Sequence, residues 1–408
     1  MLAAIVIIVT LLIPARNPIR TETSRLHTEG RWIKDASGET IRLVGASVFW
    51  RWYFTDETNG YDPLSYIDET VEKYDVYEST GANFLRVQLS KWLWDNANDV
   101  YVRAVDTLVD WCTQRSLSVV LTFQGWYDCR PGVYRDYTSK EQVDMIVNGT
   151  MEAFVSELAE RYKHTKNVMG IEILLDPIPS EAFWASYRNT TPERARSEYR
   201  QRLVSAICAI HSVDINYLVF IHPLDADRLR LFVEEDPIRE PNVVYCLGRS
   251  VSWDKGYWPY ADAYYQGKLE AARVLMEEAY RSWLFDVLDL GYAAIMMETE
   301  VSSDLQHATT YVDDLMNLFK KYQASICWWA FDREKMMEGS QWLFLLRDTN
   351  DRVPTLSEMG VIWAKHTISN RKNPRSDSYQ IFTTIVRAAG LVVVVILIYI
   401  HARSVVSC

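Results

Sequence analysis

The 408-residue chain carries 43 Lys and Arg against 54 Asp and Glu, a formal net charge of −11. That balance argues against a nucleic-acid ligand, because neutralising phosphates takes a basic face. Apolar residues at 49 % and charged residues at 24 % are ordinary globular usage, which excludes a mainly disordered chain or a long coiled coil.

Aromatics reach 13 %, with 15 Trp and 24 Tyr. Side chains of this kind line ligand clefts, and they also fill large cores. In chain order, the apolar run Leu2 to Pro14 comes first and gives residues 1–15 the character of a signal-peptide core or a truncated anchor. Next, Glu29 to Thr40 (EGRWIKDASGET) has the Asp, Ser and Gly turn chemistry of a hairpin, placed to plug a barrel floor.

Short β-branched runs then alternate with amphipathic stretches. The expected strands are Ile41 to Phe49, Phe84 to Leu89, Ser118 to Phe123, Val168 to Leu175, Tyr217 to Ile221, Val243 to Leu247, Ala293 to Met297 and Ala324 to Trp329. The expected helices include Val102 to Arg115, Lys140 to Lys163, Ala195 to His211, Gly267 to Leu290 and Thr309 to Tyr322. Eight such βα units over residues 29–367 predict an α/β fold, a (β/α)8 TIM barrel. The rival, a doubly wound open sheet, usually carries a Gly-rich turn after its first strand, and Val44-Gly45-Ala46-Ser47 is not one.

Beyond the barrel, residues 368–380 read as a polar linker and 381–402 as a C-terminal transmembrane helix, long enough to span with Arg387 near an interface. A membrane-anchored protein with an extracytoplasmic globular domain follows as the expectation. The sequons at Asn148 and Asn189 agree with it, although basic residues before the anchor favour the opposite orientation. The six Cys have no CxxC pair and no His at zinc spacing, so neither a metal site nor a disulfide framework is indicated; most should be small core residues. No P-loop, dinucleotide fingerprint or HExxH motif points to a cofactor.

In a barrel the chemistry sits where the strands end. Strand four ends in Asp176-Pro177 and strand seven in Glu298, with Glu300 just beyond. Strand two carries Arg86, strand three leads into Gln124-Gly125-Trp126, strand five into His222, and strand eight into Trp328-Trp329. Two carboxylates facing across the mouth suit glycoside hydrolysis. In the retaining form one carboxylic acid protonates the leaving oxygen, and a carboxylate about 5 Å away attacks the anomeric carbon.

Gly170-Ile171-Glu172-Ile173-Leu174-Leu175-Asp176-Pro177 resembles the G-I-E-x-x-N-E-P strand of glycoside hydrolase family 5, the cellulase and mannanase group of clan A. Gly30 to Gly45 resembles that family's opening hairpin and first strand. Gly81 to Val87 resembles its G-x-N-x-x-R strand, and Leu158 to Tyr162 the helix before strand four. Ala294 to Glu298 resembles the nucleophile strand, and Trp329-Ala330 the strand-eight tryptophan that floors the sugar site. The resemblance implies Glu298 as nucleophile, Asp176 as acid/base, and Arg86 as the group that keeps Glu298 ionised. Protonated Asp176 would need a raised pKa, from burial and the Glu298 charge.

The departures are specific. Leu175-Asp176 stands where the family has Asn-Glu, Gln124 where a His is usual, and Gly248-Arg249-Ser250 where His-x-Tyr positions the nucleophile. Trp50, Trp92, Trp126 and Trp329 are expected to stack on sugar rings, with Arg86, Gln124 and His222 completing the contacts; Trp52, Trp94, Trp184, Trp253 and Trp258 also fall at strand ends or in the following loops. Glu172 is expected inside the barrel paired with Arg86 or a neighbour, and Glu300 in a solvated loop. Two functions fit: a hydrolase of a β-linked polysaccharide or oligosaccharide, and a catalytically silent carbohydrate-binding protein with the same cleft.

Overall fold

Each of the eight apolar runs expected to be a strand forms one. The computed structural model of the chain describes residues 26–49, 75–96, 99–125, 127–130, 133–136, 138–175, 180–225, 228–252, 254–302, 304–330, 346–347 and 355–367. The strands are β1 (Val44–Phe49), β2 (Phe84–Ser90), β3 (Ser118–Gln124), β4 (Val168–Glu172), β5 (Leu218–Ile221), β6 (Val243–Gly248), β7 (Ala294–Thr299) and β8 (Ser325–Trp328). They pair in parallel in sequence order and close into a barrel where β8 meets β1, with Ile326 opposite Val44. Helices connect them, as the alternating pattern predicts.

The runs are apolar without alternation because both faces of a parallel sheet are covered. β2 illustrates this, with every residue from Phe84 to Ser90 buried. One cluster takes a side chain from each of β2 to β8, among them Phe84, Val120, Leu218, Val244, Ile295 and Cys327, with Leu43 from just before β1, and so occupies the lumen. The alternate residues join the helices in a larger outer core. Cys112, Cys246 and Cys327 are buried thiols of these cores.

Before β1, His27–Glu29 pairs antiparallel with Trp32–Lys34, and Ile33 joins the lumen cluster. The hairpin therefore stoppers the barrel, and the Asp35–Gly38 stretch makes the next turn, bringing Thr40 back antiparallel to Lys34. Arg31 pins it by bonding Asp289 and the Tyr322 carbonyl, both at 3.0 Å.

Two glycines let strands approach closely. A Cβ on Gly170 would lie 2.4 Å from the Leu218 carbonyl oxygen, and one on Gly45 would lie 2.4 Å from that of Phe84. The single helix expected over 140–163 is two, Ser139–Val147 and Thr150–Tyr162, because Gly149 at φ +84° turns the chain between them. The stretch 267–290 is likewise divided, into Leu269–Tyr280, a π-helical turn at Arg281–Phe285, and Asp286–Asp289.

Among the described residues no helix is long and apolar enough to cross a membrane. The segments 1–15, 368–380 and 381–402 lie outside the described residues, as does Asp176.

Candidate active site

Arg86, the third residue of β2, has no exposed surface. A buried guanidinium is tolerable only if its donors and its charge are both met. Nε donates to Glu172 Oε2 at 2.7 Å and Nη2 to Glu172 Oε1 at 2.6 Å, a bidentate pair. Nη1 turns to the next strands, donating to Glu298 Oε2 at 2.9 Å, and at 3.2 Å to both Ser47 Oγ and the Met297 carbonyl. Burial works against the charge of Arg86, but Glu172 and then Glu298 outweigh it and hold the guanidinium protonated.

Glu172, which closes β4, is equally buried and accepts two further bonds. Thr122 Oγ1 donates to Oε2 at 2.7 Å, and His222 Nε2 lies 2.6 Å from Oε1. Burial alone would raise its pKa. The charge of Arg86, with bonds from His222 and Arg86, overturns this and brings it down to about 2. An ionised carboxylate only accepts, so His222 Nε2 must carry a proton. Glu172 therefore orients Arg86 and fixes the His222 tautomer, the interior role expected of it.

Glu298 lies near the end of β7 and is 6 % exposed. Its neighbour Met297 packs in the lumen cluster, yet Glu298 also reaches Arg86 in the lumen. Two consecutive residues cannot share a face of a regular strand. The pairing resolves this by shifting register on both sides, at Leu247/Gly248 toward β6 and between Met296 and Thr299 toward β8. Such irregularities re-aim side chains at sites, and no sequence signal marked this one.

At the end of β6, Arg249 N donates to the Glu298 carbonyl at 2.9 Å. The Arg249 side chain turns away, its guanidinium 4.6 Å from the Trp283 ring centroid and Nη1 3.3 Å from Asp254. Glu300 corrects the expectation of a solvated loop: it is 1 % exposed. Neither of its carboxyl oxygens has a hydrogen-bond partner. Burial first, and then the Glu298 charge, push its pKa well above the usual carboxylate range. The strand ends immediately before it, but the loops of β6 and β7 close over it, which periodicity cannot show.

Of the other expected contacts, Trp329 follows β8, is 8 % exposed, and donates its backbone N–H to the Thr299 carbonyl at 2.7 Å. Its peptide bond to Ala330 is cis. Gln124 ends β3, buried, in register with Ser90. The His222 ring is 2 % exposed, so any contact with sugar would have to come from a ring whose Nε2 already serves Glu172. Trp92 is half-buried in the helix after β2, against the outer core. Trp50, Trp52, Trp126 and Trp253 lie outside the described residues, whereas Leu175 still pairs with β3 through its N–H to the Phe123 carbonyl at 3.0 Å.

Three of the strand-end tryptophans hold the protein together instead of lining a cleft. Trp94 packs edge-on against Phe154 and donates to Glu157 at 2.7 Å. Trp184 is fully buried and donates to Glu198 at 3.1 Å, and Trp258 meets Trp283 edge-on at 4.6 Å. Among the described residues no group of three His, Cys, Asp or Glu could hold a metal ion.

The family model described as cellulase, glycosyl hydrolase family 5, matches residues 35–335. The chain belongs to that family. No curated protein matches it. Among solved structures, a β-glucanase from Saccharophagus degradans is similar at 18 % identity, with a TM-score of 0.61 over 86 % of this chain and 94 % of the other. The catalytic domain of the major endoglucanase from Xanthomonas campestris pv. campestris is similar at 13 % identity, with a TM-score of 0.59 over 84 % and 99 %. An endogalactoceramidase is similar at 16 % identity, with a TM-score of 0.61 over 85 % and 84 %. At such identities these likenesses establish the fold, and the family membership rests on the sequence match. In this member of family 5, Arg86 is buried beside Glu298, and Leu175-Asp176 follows β4.

Proposed function

We propose that this family 5 member is a retaining glycoside hydrolase acting on a β-linked polysaccharide or oligosaccharide, with Glu298 as nucleophile and Asp176 as acid/base. The observation that carries the reading is the Arg86 bond to Glu298 at the carboxyl-terminal end of β7. A carboxylate that must attack carbon has to be ionised and aimed, and a buried guanidinium supplies both. In the first step a Glu298 oxygen bonds to the anomeric carbon as the glycosidic bond breaks, and the leaving oxygen takes the Asp176 proton. In the second step Asp176 takes a proton from water, whose oxygen displaces Glu298. Trp329 stacks the sugar, Gln124 and the tryptophans Trp50, Trp92 and Trp126 extend the contact, and Arg86 and His222 act through the buried cluster.

The second reading, a carbohydrate-binding protein without turnover, is favoured by one feature, the Leu175-Asp176 pair in place of Asn-Glu. Losing the amide contact to the sugar costs transition-state stabilisation. A panel of chromogenic β-glycosides separates the two readings, with Glu298→Gln as control and calorimetry with oligosaccharides alongside. Hydrolysis abolished in the variant supports the enzyme; equal inertness of both proteins, with binding retained, supports the binding protein. We further propose that residues 381–402 anchor the protein in a membrane with the barrel outside the cytoplasm, and cell-surface protease accessibility of the barrel in intact cells tests this.

A further inference from the structure

Two Asn-x-Thr triplets stand at the surface, and the backbone around them differs. Asn148 and Asn189 are both exposed, each in the turn that leads into a barrel helix, Thr150–Tyr162 and Pro192–Val213. At the first, Gly149 at φ +84° bends the chain back on itself. The Asn148 side-chain oxygen therefore accepts both the Thr150 N–H at 3.0 Å and the Thr150 hydroxyl at 2.7 Å. Its side-chain nitrogen makes no hydrogen bond among the described residues, so substituting that nitrogen breaks no bond of the fold. At the second triplet, Pro192 follows the threonine. A residue before proline is pushed to extended backbone, and Thr191 sits at φ −95° and ψ 158°. Its hydroxyl serves the following helix, accepting the Arg194 N–H at 3.3 Å, and does not reach back to Asn189.

We propose that Asn148 is the acceptor of an N-linked glycan and that Asn189 is passed over. In the transfer, the Asn148 side-chain nitrogen bonds to the anomeric carbon of an oligosaccharide carried on a lipid diphosphate. The bond from that carbon to the diphosphate oxygen breaks, the lipid diphosphate leaves with the electron pair, and the nitrogen gives up one proton to a base of the transferring enzyme. Nothing is oxidised or reduced. Two donors on the amide oxygen favour this step, because the charge that builds as the nitrogen loses its proton lies largely on that oxygen. Such transfer takes place outside the cytoplasm, so the proposal rests on the topology proposed for the barrel. The choice between the two asparagines does not, since Gly149 and Pro192 bias the local backbone whether or not the barrel has folded. A glycan is bulky and needs a surface position, which the exposed Asn148 offers in the finished fold.

The test uses the full-length chain made in a eukaryotic secretory cell, once as it stands and once behind a cleavable secretion signal. Enzymatic deglycosylation, which converts a linked Asn to Asp, followed by peptide mass spectrometry reads each site. The expected result is a single glycan, on Asn148, lost in Asn148→Gln and in Thr150→Val and unchanged in Asn189→Gln. Pro192→Ala should add a second glycan, on Asn189. A glycan on Asn189 in the wild-type chain, a bare Asn148 behind the secretion signal, or a Pro192→Ala chain still bare at Asn189 overturns the proposal. A chain that is bare as it stands but carries the Asn148 glycan behind the signal keeps the acceptor assignment and overturns the topology reading. None of these readouts needs turnover, so they stand apart from the hydrolase reading.

Discussion

The Arg86 guanidinium donates to Glu298 at 2.9 Å from a position with no exposed surface, while its other two nitrogens clasp Glu172. The aim of the proposed nucleophile is therefore set by a carboxylate on another strand, in register with Thr122 and Phe220. Glu172 does its work without touching a substrate. Perturbing it should move both stability and the geometry of Glu298.

Removing the cation tests that coupling first. Arg86→Met leaves Glu172 and Glu298 buried without their shared counter-charge, and the expected loss is about 3–5 kcal/mol by urea unfolding. Arg86→Lys should also destabilise, because a point charge cannot span both carboxylates as a planar fork does. A methionine variant within about 1 kcal/mol of wild type would contradict the buried cluster.

The pH dependence has a defined sign. Glu172 is held at about 2, below its ordinary 4.5, so the folded state binds its proton less tightly than the unfolded chain. Its contribution to stability is complete above about 4.5 and is lost as pH falls from there through about 2. Chemical denaturation between those values should show a steeper loss in wild type than in Glu172→Gln, measured against each protein's own stability above the window. Parallel curves would refute the depressed pKa.

The strands, their order, the pairing of Arg86 with Glu298 and the need of Glu172 for an interior partner were legible, because burial on both faces writes continuous apolar runs and a lone Arg or Glu within one needs a partner. What was hidden depended on contacts between distant segments. The irregularity that turns Met297 and Glu298 to the same lumen exists only in the pairing with β6 and β8. Glu300 looked solvated because it follows a strand, and the loops that cover it come from another unit. Trp94 and Trp184 looked like cleft residues from their place after strands, but outer helices offered them Glu157 and Glu198.

Thr122 gives a finer probe of the same carboxylate. Thr122→Val keeps the shape and deletes one of the four bonds to Glu172, and about 1–3 kcal/mol should be lost. Thr122→Ser should recover most of it. Equal stability of the valine and serine variants would show that the hydroxyl bond contributes nothing.

Close strand contact predicts intolerance at Gly170. A methyl there would press on the Leu218 carbonyl oxygen at 2.4 Å and on the Phe220 ring at 2.7 Å, two residues before Glu172. Gly170→Ala should cost about 1–3 kcal/mol and lower soluble yield. A thermal midpoint equal to that of wild type would contradict the close approach.

The most direct test of the central claim is covalent trapping. An activated 2-deoxy-2-fluoro β-glycoside slows the second step of a retaining mechanism, so the glycosyl-enzyme accumulates and peptide mass spectrometry locates the sugar. The account predicts an ester on Glu298, absent in Glu298→Gln. A label on another carboxylate, or no label on a protein that demonstrably hydrolyses the parent glycoside, would contradict it.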